Sequence, residues 1–486
     1  MPKKLLVSVF LLLPYAAFVH GQPLQPGFDK QEYIDLMKVS AQFGDSAYRA
    51  ALPVPPRYTL AYRSAEIGLG NRWELWTRPD RVAVVSVRGT TERSESWLGN
   101  LYAAMVPAQG TLTLSDDFTF PYRLATHPRA AVHVGWLVST AFLARDILPK
   151  IDSCYRAGTH HVIILGHSQG GAIAYLLTAH LYSLQQQGEL PADLRLKTYC
   201  SAAPKPGNLY FAYAYEAMTQ NGWAYNVVNS ADWVPEVPVT VQTLDDFNRP
   251  NPFVNARQTI RKQKFRARIA LNYAYNKLYK PTQKAQENYQ KILGEYTSKQ
   301  VKALLPGFVP PAYYESNDYV RTGTTITLLA DEDYYAWNPQ DSAFLWAHHF
   351  HSPYIYLAEK LDDPSTTNMA DKDLLGTAWE LEYLSGPRIA FQGLFPDKKP
   401  QITFNSTAQK VEGNSGCNGY SADYTLNGDN LLVGEPGPTT MMYCGEGEKF
   451  FLNIIQKVNR YFIDEDGKLN LAINEVPMMR FKKAVQ

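Results

Sequence analysis

At 486 residues the chain exceeds one ordinary domain of about 100–200 residues, so two or three modules are expected. An apolar share of 45% with 19% charged residues can bury large cores, and 47 basic against 46 acidic residues leave a formal charge of +1, which disfavours wholesale disorder and a generally nucleic-acid-binding chain. The four cysteines, Cys154, Cys200, Cys417 and Cys444, are too few for a disulfide scaffold and form no Cys-x-x-Cys pair or His/Cys cluster of zinc spacing.

Lys3 and Lys4 precede an apolar run from Leu5 to Val19 that ends in Val19-His20-Gly21. This is the pattern of a signal peptide over residues 1–21, cleaved near Gly21. Pro14 interrupts the run, which is shorter than the roughly 20 residues needed to span a bilayer. The mature protein is therefore expected to be soluble and exported, periplasmic or extracellular.

Lys30 to Tyr48 carries Tyr33, Leu36, Met37 and Phe43 at helical spacing, closed by Pro53 to Pro56. Trp73 to Trp76 and Arg81 to Val87 read as strands, the second a nearly continuous Val/Ala run of the kind buried on both faces of a sheet. Ala130 to Ile151 reads as a helix, His161 to Leu165 as a short buried strand and Ala172 to Gln187 as a helix. Leu196 to Cys200 and Ala224 to Val228 are strands again. Strands alternating with helices indicate an α/β fold with a mainly parallel sheet covered on both sides.

From about Asn255 to Leu305 the character changes. Between Asn255 and Lys302 twelve Lys/Arg stand against two Glu, a net +10. Tyr, Leu and Ile at helical spacing make this a basic amphipathic helical insertion, either a solvated cap or a contact for an anionic membrane or polysaccharide surface. Residues 363–373, polar and rich in Ser and Thr, read as a linker. Beyond it, Trp379 to Tyr383, Gln401 to Phe404, Lys410 to Glu412 and Leu431 to Val433 are short strands, and Glu448 to Val458 a helix. Residues 374–486 thus form a small β-rich (α+β) domain.

Gly166-His167-Ser168-Gln169-Gly170-Gly171 contains G-x-S-x-G between a buried strand and a helix. A serine on so sharp a turn projects its hydroxyl above the sheet, and the helix N-terminus points free N–H groups at a developing oxyanion. Such a serine needs a base and an acidic orienter, which in this fold class follow in the order Ser, Asp/Glu, His. Asp232, just past the strand ending at Asn229, is the candidate acid, ahead of Asp245 and Asp246, which follow no strand. His348, His349 and His351 are the candidate bases. A metal site is disfavoured because no carboxylate or Cys sits nearby at ligand spacing.

With these residues in view, roughly Lys30 to Leu357 resembles the class 3 (fungal-lipase-like) triacylglycerol lipases of the α/β-hydrolase fold. The likeness rests on Val87-Arg88-Gly89-Thr90 with Ser96-Trp97-Leu98, and on Val132-His133-Val134-Gly135-Trp136. It rests also on the elbow, which has Gln169 where Leu is commoner, on Ala203-Pro204-Lys205-Pro206-Gly207-Asn208, on Asp232-Trp233-Val234-Pro235, and on His351-Ser352-Pro353-Tyr354 as a His-x-x-Tyr. The resemblance implies Ser168 as nucleophile, Asp232 as orienter and His351 as base, since neither His348 nor His349 has a Tyr three residues on. It implies an oxyanion hole from Thr90 and the N–H of Gln169, a structural His133, and no cofactor or metal. Thr91 to Glu95 is polar and gives no apolar lid.

Roughly Leu374 to Lys483 resembles the META domain, through Gly376-Thr377-Ala378-Trp379, Gly416-Cys417-Asn418-Gly419-Tyr420, Thr439 to Cys444, Phe450-Phe451 and Leu469-Asn470-Leu471. In an exported protein Cys417 and Cys444 can pair, contributing about 3 kcal/mol by loop entropy, or remain free thiols. The organisation expected is a signal peptide (1–21), a lipase-like domain (22–362) with the basic insertion (about 255–305), a linker (363–373) and a META-like domain (374–486). The function expected is an exported serine hydrolase of carboxylic esters, a triacylglycerol lipase or esterase acting on lipid or ester substrates and not on nucleic acid. The alternatives are a phospholipase, a short-chain esterase, or a cell-envelope binding protein with weak hydrolase activity.

Overall fold

The computed structural model describes residues 24–340, 343–361, 374–386, 391–406, 408–427, 429–437, 442, 445–464, 466–474 and 476–484. The expected signal peptide and linker lie outside the described residues. The chain divides into two compact units, Met1–Leu361 and Asp362–Gln486.

In the first unit, helix α1 (Lys30–Ser40) starts where Asp29 accepts a hydrogen bond from Glu32 N–H, and α2 (Ser46–Ala51) starts at Asp45. The single helix expected over Lys30 to Tyr48 is thus two, because Gly44 turns to an extended conformation and the Asp45 side chain caps a fresh start. Strands β1 (Thr59–Arg63), β2 (Trp73–Thr77) and β3 (Val82–Val87) form an antiparallel edge. Helix α3 (Ser94–Leu101), strand β4 (Met105–Pro107), the hairpin β5 (Gln109–Ser115) and β6 (Phe118–Arg123), and β7 (Ala131–His133) lead to α4 (Val134–Arg156).

The parallel part follows: β8 (His161–His167), α5 (Gln169–Gln186), β9 (Arg195–Ser201), the short β10 (Gly207–Asn208), α6 (Leu209–Met218) and β11 (Ala224–Asn229). The insertion folds as α7 (Ala256–Arg261), α8 (Phe265–Gln290), a π-turn (Lys291–Tyr296) and α9 (Thr297–Leu304). Strands β12 (Tyr319–Val320) and β13 (Thr324–Leu328) and helices α10 (Glu332–Trp337) and α11 (His351–Glu359) complete the unit. The main sheet runs β1-β2-β3-β8-β9-β11-β13, with every pair from β3 onward parallel.

Side chains alternate across the two faces of this sheet. Ala83, Val85 and Val87 of β3 and Val162 and Ile164 of β8 pack under α4 and α5, whereas Val82, Val84, Ile163 and Leu165 pack under α1 and α11. Both faces of β3 and β8 are buried, which is why their sequences read as apolar runs. A buried ion pair between Lys197 of β9 and Glu32 of α1, at 2.7 Å and shared with Tyr199, ties the opening helix to the sheet.

The second unit is one antiparallel sheet in the order β18-β17-β16-β15-β14-β21-β20-β19. In chain order it comprises β14 (Ala378–Leu384), α12 (Phe391–Leu394), β15 (Gln401–Asn405), β16 (Lys410–Asn414), β17 (Gly419–Asn427), β18 (Asn430–Pro436), α13 (Gly447–Ile455), β19 (Arg460–Ile463), β20 (Leu469–Ile473) and β21 (Val476–Lys483). The sheet curls until its edges meet, with Leu431 N–H bonded to Asn459 C=O and Tyr461 N–H to Asp429 C=O. Helix α13 plugs the resulting trough with Phe451, Ile454 and Ile455. Cys154 and Cys200 are free thiols and Cys417 is disulfide-bonded; Cys444, its expected partner, lies outside the described residues.

Candidate active site

Ser168 stands at the turn from β8 into α5 with φ +62° and ψ −132°, a conformation that costs a non-glycine residue about 1–3 kcal/mol. The glycines around it make the turn feasible. A Cβ on Gly166 would lie 2.1 Å from the Gly170 carbonyl carbon, and one on Gly170 would lie 2.2 Å from the Val87 oxygen. Ser168 N–H donates to Ser201 C=O at 2.9 Å, locking the turn to β9.

The imidazole that meets Ser168 is that of His349, not His351. His349 Nε2 lies 2.8 Å from Ser168 Oγ, and its Nδ1 lies 2.8 Å from Asp232 Oδ2. An ionised carboxylate only accepts, so Nδ1 carries the proton and Nε2 is left to accept from the serine hydroxyl. Asp232 is buried, and its Oδ2 also accepts from Tyr354 Oη at 2.8 Å while Oδ1 accepts from Val234 N–H at 3.0 Å.

The sequence expectation for His351 is therefore corrected, and the physical reason is local. His351 is the first residue of α11, and this start turns its ring inward, where Nδ1 meets Tyr48 Oη at 2.9 Å and Nε2 meets Ser40 Oγ at 3.0 Å. Burial pushes its pKa down from 6.5 to about 3, so the ring stays neutral. The Tyr in the His-x-x-Tyr pattern does reach the site, because Tyr354 bonds Asp232; the His of that pattern does not.

Side chains from two strand ends, a helix C-terminus and the turn after β11 fix the loop that carries His349. The carbonyls of Leu345, Ala347, His348 and His349 accept from Trp233 Nε1 (2.9 Å), Asn338 Nδ2 (3.0 Å), Asn229 Nδ2 (3.0 Å) and His167 Nε2 (2.7 Å) respectively. His167 must then accept at Nδ1 from Ser201 Oγ, 3.2 Å away, which in turn accepts from Tyr33 Oη at 2.7 Å. The His167 ring stacks on His351 with centroids 4.2 Å apart, and burial holds its pKa well below the ordinary imidazole range. Asn229, His167 and Asn338 were not singled out by the sequence as supports of this loop, since a polar residue at a strand or helix end carries no mark of the loop it will meet.

Gln169 opens α5, where the first N–H groups have no intrahelical acceptor. Its side chain donates to Ser96 C=O at 2.9 Å and to Asn100 Oδ1 at 2.8 Å, joining the elbow to α3. Asn100 also donates to Thr90 Oγ1 at 3.0 Å, which orients that hydroxyl beside the elbow. The structure thus gives the unusual Gln of the elbow a tethering task. His133 caps α4, accepting from Trp136 N–H at 3.3 Å, and burial lowers its pKa to about 3.

Apolar side chains lie on one side of His349. Trp346 lies 5.5 Å from the His349 ring, 5.1 Å from Trp233 and 6.1 Å from Trp97, and Phe344, Leu345 and Phe350 of the same loop are exposed. A cleft of about 270 Å³ between residues 244–258 and α8 includes none of Ser168, Asp232 and His349. The rival acids are engaged elsewhere: Asp246 with Thr243 and Ser316, Asp245 with Tyr279. Among the described residues no group of three or more His, Cys, Asp or Glu is placed to hold a metal ion.

A mainly parallel sheet with a serine on its strand-to-helix elbow defines an α/β hydrolase. The comparisons with known proteins narrow the class: residues 84–242 match the family model of the class 3 lipases and residues 372–486 match that of the META domain. A lipase of Rhizopus niveus is 35% identical over 111 residues, which cover 22% of this chain and 27% of that protein. Secreted mono- and diacylglycerol lipase 1 of Fusarium solani is 32% identical over 111 residues, covering 23% of this chain and 30% of that protein. The chain therefore spans less than a third of the length of these curated relatives. Among solved structures, lipase II of Rhizopus niveus matches at a TM-score of 0.32 and 22% identity, covering 43% of this chain and 75% of that one. Rhizomucor miehei triacylglyceride lipase matches at 0.34 and 18%, covering 44% and 77%. Among the described residues no helix is long and apolar enough to cross a membrane.

Proposed function

We propose that the protein is an exported serine hydrolase that cleaves carboxylic esters of lipids, a lipase or esterase, through Ser168, His349 and Asp232. The observation that carries this reading is the unbroken relay from Ser168 Oγ to His349 Nε2 and from His349 Nδ1 to Asp232 Oδ2, each step 2.8 Å, on a strained elbow. His349 takes the Ser168 proton as Oγ attacks the ester carbonyl, and Asp232 stabilises the imidazolium that forms. The oxyanion is held by Gln169 N–H and by Thr90, each donor worth about 3 kcal/mol in the transition state. His349 then protonates the departing alkoxide, activates a water, and the acyl group leaves Ser168 as a carboxylate. The apolar rim of Trp97, Trp233 and the 344–350 loop supports an acyl chain as the part of the substrate beside the ester. Export rests on the charged and apolar pattern of residues 1–21, and the 255–305 insertion supplies a contact for an anionic surface.

The test is covalent labelling by a fluorophosphonate probe followed by an acyl-length series of nitrophenyl esters and emulsified triglyceride. Wild type should be labelled and Ser168→Ala should not; equal labelling of both would overturn the assignment. Hydrolysis of soluble short-chain esters without any of emulsified triglyceride would assign an esterase.

A further inference from the structure

The insertion carries a charge that the triad does not use. Helix α8 buries none of its residues, yet its two faces differ. Tyr275, Tyr279, Thr282, Gln286 and Tyr289 follow at three- or four-residue steps, are half-buried, and hold the helix on the unit. Tyr279 donates to Asp245 at 2.6 Å, and Tyr289 packs on Met105, Ala131 and Tyr319.

The other row is Phe265, Ile269, Tyr273, Lys277, Lys280 and Lys284, again at three- or four-residue steps and exposed throughout. Phe265, Ile269 and Tyr273 leave 67%, 54% and 66% of their surface in water. Lys277 sits 5.9 Å from the Tyr273 ring, as expected for neighbours on one row. Arg266 and Lys291 flank it, within a stretch whose net charge is +10 from twelve cations and two Glu.

We propose that this row of α8 docks the protein on an anionic lipid bilayer. Phe265, Ile269 and Tyr273 enter the headgroup boundary at one end, while Lys277, Lys280 and Lys284 meet lipid phosphates at the other. A nucleic acid or acidic polysaccharide would use the cations and leave three large apolar side chains in water; an anionic bilayer uses both kinds of group. The docking row contains no residue of the triad, so it stands whether or not the hydrolase reading does.

The test is co-sedimentation of the purified protein with phosphatidylcholine vesicles, with and without about a third of phosphatidylglycerol, at low and high salt. Binding should need the anionic lipid and fade at high salt. Joint Lys277→Gln, Lys280→Gln and Lys284→Gln should weaken it roughly 100-fold, and joint Phe265→Ser and Ile269→Ser about tenfold or more. Joint Arg156→Gln, Lys410→Gln and Lys449→Gln, exposed cations elsewhere, should leave it unchanged, and all variants should keep the wild-type melting temperature. Three results would each overturn the proposal: equal binding to neutral vesicles, undiminished binding by the triple Gln variant, or binding to heparin or duplex DNA that exceeds vesicle binding at equal charge and ignores the Phe265 and Ile269 changes.

Discussion

Replacing His349 by Ala separates the two histidines that the sequence left in competition. The change removes the imidazole 2.8 Å from Ser168 Oγ and leaves Asp232 without its 2.8 Å partner. Under the proposed mechanism the serine then has no base, and kcat on a soluble nitrophenyl ester should fall by about 10⁴- to 10⁶-fold, roughly 5–8 kcal/mol of transition-state stabilisation. His351 cannot take over. Its pKa of about 3 against an ordinary 6.5 means that burial opposes its protonated form by roughly 5 kcal/mol, and both its nitrogens are already bonded to Tyr48 and Ser40. His351→Gln, which keeps one donor and one acceptor but not the spacing of the two ring nitrogens, should retain kcat within about tenfold and show its cost in the melting temperature, since leaving Tyr48 or Ser40 without its buried partner costs about 1–3 kcal/mol. Initial rates, fluorophosphonate labelling and thermal melts on both variants decide the matter. Near-normal turnover by His349→Ala, with a dead but fully folded His351→Gln, would refute the assignment.

Two further outcomes follow from the same geometry. Gly166→Ala should yield no natively folded protein, because its Cβ would stand 2.1 Å from the Gly170 backbone; a thermal melt like wild type would show that the elbow can relax. Stability should fall in acid. His133 and His351 are pushed to about 3 and His180 to about 4 by burial, below the 6.5 they regain on unfolding. Their contribution is complete above pH 6.5 and is lost as pH drops towards these values, because the unfolded chain then binds the extra protons. Melting temperatures measured from pH 7.5 to 4.5 should decline steadily, and a flat profile would contradict the neutral burial of these rings.

Residues 255–305 show how a chain average hides a local property. The net +1 of the whole chain is compatible with a helix that presents three lysines and three large apolar side chains in one exposed row. The same contrast holds at the elbow, where Gln169 looks like a departure from the commoner Leu and proves to be the tether between α5 and α3.

The sequence by itself determined the alternation of strands and helices, since β3 and β8 are apolar on both faces and periodicity survives without tertiary context. It also determined the elbow around Ser168, because Gly at positions 166, 170 and 171 answers a backbone requirement local to the turn. Asp232 stood out as a candidate for a related reason, lying just past the end of a strand, and its carboxylate does meet His349. Which of His348, His349 and His351 lies against Ser168 was decided only by the tertiary structure. Spacing to Tyr354 points to His351, but the ring that reaches Ser168 is set by where α11 begins and by carbonyl contacts from Asn338 nearby and from Trp233, Asn229 and His167, which are distant in the chain. The distant contacts exist only after β8, β11 and the loop that carries His349 are packed together, and no local pattern records them.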